Sequence, residues 1–186
     1  ARTEEYYVKR YEEERNLTTH ILLDASGSME YGDDDQNKFD YAAKIGLGYA
    51  YLAVAENNDF RFSVFTDTFE RIDSGRSNEG EVPGLIDTVN ETEPDGRADF
   101  GRALSEYAKT IGSRSLVLVV SDFIGDLEGI EEGIDSLADH HLRLVCTMSP
   151  EELDLPATGD TILEGIETET DLRTYVGNRT KQQYED

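Results

Sequence analysis

The run Ile21-Leu22-Leu23-Asp24-Ala25-Ser26-Gly27-Ser28-Met29 constrains this chain more than any other stretch. Three consecutive aliphatic residues read as a strand buried on both faces, and such strands belong to parallel sheets covered by helices. An Asp and two Ser follow at alternate positions, with a Gly between the hydroxyls. Carboxylate and hydroxyl oxygens crowded at a strand end suit a hard divalent cation, which takes oxygen ligands. Open α/β sheets place ligands beyond the carboxyl ends of their strands. These residues are therefore expected to hold Mg²⁺, or Mn²⁺ or Ca²⁺ in its place, and the metal to capture a partner's carboxylate.

The remaining chain supplies elements for such a sheet. Thr18 to Asp24 reads as the first strand. Phe39 to Ala55 reads as a helix, uncharged from Ile45 onward and expected to be buried nearly all round; Asn57-Asn58-Asp59 stops it. Phe60 to Phe65 alternates as a strand does, and Thr68 to Asp73 is its antiparallel partner across Thr66-Asp67. Val82, Leu85, Ile86 and Val89 follow at helical spacing, with Pro83 in the first turn, where proline is tolerated. Asp99 is placed to N-cap a helix carrying Phe100, Ala103, Leu104, Tyr107, Ala108 and Ile111 on one stripe. Leu116 to Val120 is a second continuous aliphatic run, ending in Ser121-Asp122-Phe123. Leu127, Ile130, Ile134, Leu137 and Ala138 mark another helix, expected to end near His140-His141. Leu142 to Met148 is a strand with Cys146 in the core. Thr161 to Val176 reads as a hairpin turning near Glu167-Thr168-Glu169, and 178–185 as a short helix. Alternation of strands and helices implies an α/β fold, a doubly wound and mostly parallel sheet with helices on both faces and one antiparallel edge strand. Residues 1–17 are a lead-in and 18–186 one domain. Right-handed crossovers would bring Asp24, the loop before Phe100 and Asp122 to one rim.

Charge narrows the function. The chain of 186 residues has 41 Asp and Glu against 17 Lys and Arg, a net charge of -24. That balance opposes binding to nucleic acid, whose phosphates need basic neutralisation, and to anionic membranes. The acids are spread along the chain and lysine is scarce, a pattern expected of adaptation to high salt, where screening removes self-repulsion. The one cysteine offers no internal disulfide. No run approaches 18 apolar residues, and a cytoplasmic, soluble domain is expected. Ala1-Arg2-Thr3 reads as an internal cut, so the parent protein is expected to be longer and can carry a membrane anchor elsewhere.

Asp24-Ala25-Ser26-Gly27-Ser28 fits Asp-x-Ser-x-Ser, and in this it resembles the first element of the metal-ion-dependent adhesion site of von Willebrand factor A-like domains. Asp122, closing Val119-Val120-Ser121-Asp122, resembles the third element. Tyr7 to Leu17 running into the metal motif, and Arg114-Ser115-Leu116 leading into Ser121-Asp122-Phe123, are similar to the prokaryotic family catalogued as domain of unknown function 58. The resemblance implies that Ser26 and Ser28 ligate the metal directly and that Asp24 and Asp122 act through water or by orienting ligands. Neutral hydroxyls leave the cation electrophilic, so it still seeks an anion. It also implies a protein-binding module, with an acidic residue of another protein as its ligand and a MoxR-type AAA+ ATPase or its client as the kind of partner. The second element departs from the pattern: Gly96-Arg97-Ala98-Asp99-Phe100 has Ala98 where the family has Thr. Asp99 is left as the substitute oxygen donor or simply as the helix cap, and Arg97 adds positive charge nearby.

Other readings stand beside this one. Ala98 favours a scaffold that has lost its metal. A Mg²⁺-dependent hydrolase of the aspartyl-phosphate type needs a second Asp two residues after the first, where Ser26 stands. A serine hydrolase needs a Gly-x-Ser-x-Gly elbow, absent here, so no enzymatic activity is expected. Asp24 and the serines can also be a strand-end turn, and Asp122 a solvated strand terminus. Asp33-Asp34-Asp35 reads as a solvated loop. His20, His140 and His141 lack metal-site spacing, and Tyr31 lies where it would rim a binding surface.

Overall fold

A computed structural model of the chain describes residues 17–33, 36–153, 159–165 and 170–176. The lead-in, the Asp33-Asp34-Asp35 loop, the turn near Glu167-Thr168-Glu169 and the helix over 178–185 lie wholly or partly outside them. The elements that build the domain are β1 (Thr19–Asp24), α1 (Lys38–Ala55), β2 (Phe60–Phe65), β3 (Phe69–Arg71), α2 (Val82–Asn90), α3 (Phe100–Ala108), β4 (Leu116–Ser121), α4 (Leu127–Ser136), β5 (His141–Cys146) and the single turn α5 (Pro150–Leu153). Two further strands, β6 (Gly159–Gly165) and β7 (Thr170–Val176), pair antiparallel with Leu163 opposite Leu172.

The sheet order is β3-β2-β1-β4-β5, and only β3 runs antiparallel to its neighbour. Strand alternation divides the core in two. Ile21, Leu23, Phe60, Phe62, Leu118 and Val120 face α1 and α2. Leu22, Phe65, Val117 and Val119 face α3 and α4. Burying both faces is what makes β1 and β4 continuous aliphatic runs. The connections step to β2 on one side of β1 and later to β4 on its other side, so the crevice at the carboxyl ends of β1 and β4 is the topological switch point.

Several sequence expectations are corrected. Helix α1 is not buried all round: Phe39, Ala42, Ala43, Gly46, Ala50 and Ala53 form the covered stripe, while Tyr41, Tyr51 and Leu52 are exposed. The uncharged run reflects close approach to the sheet, since a Cβ on Gly46 would sit 2.9 Å from the Phe62 ring. Cys146 is exposed rather than in the core, because it ends β5, which among the described residues is an outer strand with a neighbour on one side only. Leu127 belongs to the helical stripe by spacing but opens α4 and is 68% exposed. His141 starts β5 instead of ending a helix. The stop at Asn57 holds, with Asn57 in the left-handed region at φ 57°, where asparagine commonly ends helices.

Candidate functional site at the carboxyl rim

β1 ends on Asp24, which is fully buried. The Ser26 N–H donates to its Oδ1 at 2.8 Å, an Asx turn that pulls the chain back over the strand end. The Ser121 hydroxyl, ending β4, donates to Asp24 Oδ2 at 2.5 Å and accepts from the Phe123 N–H at 2.8 Å. Two strand ends 97 residues apart are thereby stitched together. Burial pushes the Asp24 carboxyl up to about 6 despite the hydrogen bonds from Ser121 and Ser26, and the Asp122 charge adds to the rise.

Above Asp24, the Ser26 and Ser28 hydroxyl oxygens lie 3.2 Å apart and both residues are buried. Adjacent ligands of an octahedral Mg²⁺ at about 2.1 Å stand roughly 3 Å apart, so this pair fits one edge of such a site. The serine loop is pinned to the second-element loop. The Gly27 N–H donates to Gly96 O at 3.0 Å and the Asp95 N–H to Ala25 O at 2.9 Å. Gly96 sits at φ 75°, a conformation that suits glycine. The serine loop and the loop before α3 therefore meet at the rim.

The second-element side chains are used otherwise. Ala98 packs its methyl against the α3–α4 core. Asp99 caps α3, its Oδ1 accepting from the Arg102 N–H at 3.0 Å, and borders a cavity of about 500 Å³ between α3 and α4. Its cap role is the one the geometry displays.

Asp122 reaches the same rim but is already paired. The Ile124 N–H donates to its Oδ1 at 3.0 Å and the Lys38 ammonium to its Oδ2 at 2.7 Å. The same ammonium donates to Glu152 Oε1 at 2.7 Å. Burial alone would lower the Lys38 ammonium, but the hydrogen bonds and charges of Asp122 and Glu152 outweigh it and hold its pKa above the usual lysine value. Phe123, directly after Asp122, takes φ 54°, a costly region for a bulky residue; its ring stacks on Phe100 at 5.9 Å.

Sequence reading thus placed Asp24, Ser26, Ser28 and Asp122 at one rim, and missed Lys38 and Glu152. Lys38 carried a signal. It opens α1, where the helix dipole disfavours positive charge, so a lysine there has a specific task. Glu152 carried none, being one of 41 acidic residues. Among the described residues, no three His, Cys, Asp or Glu side chains form a metal-holding group; the serine hydroxyls are what distinguish the rim.

A mostly parallel sheet with helices on both faces and an Asp-x-Ser-x-Ser turn closing its central strand defines a von Willebrand factor A-like domain. The chain matches the family described as "Protein of unknown function DUF58" over residues 1–186 and belongs to it. The uncharacterized protein Rv1480 of Mycobacterium tuberculosis is 22% identical over 171 residues, covering 90% of this chain. The chain spans 54% of that relative's length. Among solved structures, an aerotolerance-related membrane protein from Bacteroides fragilis aligns over 90% of this chain and 85% of its own, with 16% identity and a TM-score of 0.58. The conserved hypothetical protein BatB from Bacteroides thetaiotaomicron aligns over 90% and 84%, with 15% identity and a TM-score of 0.53. At these identities the likeness is one of fold. No helix among the described residues is long and apolar enough to cross a membrane.

Proposed function

We propose that this domain is a protein-binding module, without catalytic activity of its own, whose rim receives an acidic side chain of a partner protein. The observation that carries this reading is the Ser26–Ser28 hydroxyl pair, 3.2 Å apart above the buried Asp24. Ser26 and Ser28 would hold a Mg²⁺-type ion from one side, with the Asp24 charge behind them. Bound there, Mg²⁺ supplies a positive charge with exchangeable positions for a carboxylate. A MoxR-type AAA+ ATPase, or a client of one, is the partner class that the family resemblance suggests.

A metal-free scaffold is the second reading. It is favoured by the Ala98 methyl, packed where a hydroxyl would be needed, and by the Lys38 ammonium already on Asp122.

Calorimetric titration of the chain with MgCl₂ in molar KCl separates the two. The metal reading expects binding by the parent chain and its loss in Ser26→Ala/Ser28→Ala, with the circular dichroism spectrum unchanged. Equal binding by parent and double variant would sink the site assignment; no binding by the parent would favour the scaffold.

A further inference from the structure

The backbone ladder between β1 and β4 runs from Thr19 beside Leu116 to Leu23 beside Val120 and stops there. Asp24 and Ser121 come next in the two strands, and side chains join them instead: the Ser121 hydroxyl donates to Asp24 Oδ2 at 2.5 Å. Both residues are fully buried. This bond spans the crevice where the two strands part, at the foot of the serine loop. Ser121 is itself anchored from the far side. It lies opposite Cys146 of β5, and its carbonyl accepts from the Thr147 N–H at 2.9 Å.

Asp24 is held at both oxygens. The Ser26 N–H that donates to Oδ1 at 2.8 Å belongs to the serine loop and moves with it. The hydroxyl on Oδ2 belongs to β4, so Ser121 is the fixed point. A carboxylate gripped at both oxygens cannot swing, and the direction of its Oδ1 then sets how the serine loop leaves the strand. The same Ser121 oxygen accepts from the Phe123 N–H at 2.8 Å, closing a turn around Asp122 of the kind serine makes with its own backbone. With that N–H on its lone pair, the single hydroxyl proton serves Asp24. Phe123 stands at φ 54°, a conformation that bulky residues avoid, and this bond helps to hold it. Two turns, one at each strand end, share one hydroxyl.

We propose that Ser121 is the positioning residue of the rim: its hydroxyl fixes the Asp24 carboxylate, and with it the turn that presents Ser26 and Ser28 as an adjacent pair, while through the Phe123 N–H it fixes the turn that carries Asp122. Ser121 touches no ligand and acts through the two aspartates. The inference rests on the reading that the serine pair seats a Mg²⁺-type ion, and adds the group that keeps the seat aligned. Groups that orient a metal's surroundings from behind typically change its affinity about ten- to a hundredfold when removed. A bond that only tied two strands together would leave that affinity untouched.

The test uses the full chain and its Ser121→Ala, Ser121→Thr and Ser121→Cys variants in molar KCl. Amide hydrogen exchange is followed by NMR in EDTA, and MgCl₂ binding by calorimetry. In Ser121→Ala the Ser26 and Phe123 amides should exchange about tenfold faster than in the parent, while those of Leu22 and Val119 inside the strands keep their rates. The same variant should bind Mg²⁺ about tenfold more weakly. Ser121→Thr keeps the hydroxyl and is expected to restore both. Ser121→Cys is close in size but a weak donor, so it should fall between, and it replaces Ser121→Ala if that variant does not fold. Parent-like Mg²⁺ affinity in the variants lacking the hydroxyl, or an unchanged Ser26 exchange rate, overturns the proposal. So does an equal loss in Ser121→Thr and Ser121→Ala, which would assign the effect to packing instead of the hydroxyl. If the parent takes up no Mg²⁺, the metal reading alone fails, because exchange at Ser26 and its return in Ser121→Thr still decide whether the hydroxyl positions the loop.

Discussion

Two ionisable groups on β1 answer burial in opposite ways. Burial pushes the Asp24 carboxyl up to about 6. It pushes the His20 imidazole down to about 4, with the Arg61 charge adding to the fall, while His20 Nδ1 and the Tyr107 hydroxyl sit 2.9 Å apart. Between pH 6.5 and 4 an unfolded chain would bind a proton at His20 that the folded chain refuses. The stability His20 contributes is therefore complete above pH 6.5 and lost as pH falls toward 4, a swing of about 3 kcal/mol. Asp24 acts in the reverse sense, since its folded form takes up a proton before its unfolded form does, so the parent profile is flattened. Urea denaturation of parent and His20→Gln across pH 4 to 7 isolates the histidine. The stability deficit of the variant should shrink by about 3 kcal/mol on acidification; a constant deficit would mean that His20 titrates normally.

At the scale of elements, α3 and α4 are held together by the absence of side chains. A Cβ on Gly133 would meet the Phe100 carbonyl oxygen at 2.6 Å and Leu104 Cδ1 at 3.1 Å. Gly101 and Gly129 are likewise close, a Cβ on Gly101 reaching Gly129 Cα at 3.4 Å. Replacing a helical glycine by alanine normally stabilises by about 1 kcal/mol. Here the overlap is with rigid backbone, and overpacking costs roughly 1–3 kcal/mol, so the clash should win. Gly133→Ala is expected to lower the urea midpoint with an unchanged slope, and a raised midpoint would refute the close crossing of α3 and α4. The same crossing seats Phe100 against Phe123, and so supports the turn that carries Asp122.

For the whole molecule the dominant fact is charge, with 41 acidic residues against 17 basic. Self-repulsion on this scale opposes compactness unless it is screened, and the Debye length shrinks from ~10 Å at 0.1 M salt to ~3 Å at 1 M. We propose that the domain is adapted to high salt. Its melting temperature should rise substantially from dilute buffer to about 1 M KCl, and an unchanged value would remove that idea. The acid capture proposed for the rim belongs to the same account. A partner carboxylate approaching so negative a surface would meet long-range repulsion unless salt screens it, while close contact with a bound cation would be screened much less.

The sheet and its rim were legible in the amino-acid sequence because their signals are local. Aliphatic runs at Ile21–Leu23 and Leu116–Val120, alternation over Phe60–Phe65, the cap at Asp99 and the Asp-x-Ser-x-Ser turn each report a residue's relation to its immediate chain neighbours. Parallel strands put their carboxyl ends on one rim, and the strand order seen in the structure brings Asp24 beside Ser121 and Asp122. The identity of the group that answers a buried charge is not local. Lys38 meets Asp122 across 84 residues and Glu152 across 114, and no periodicity encodes which charges share a space. Cys146 is the same lesson in apolar form. Its run reads as core, but its exposure was decided by β5 lying at the edge of the sheet, where the third dimension leaves one flank without a neighbouring strand.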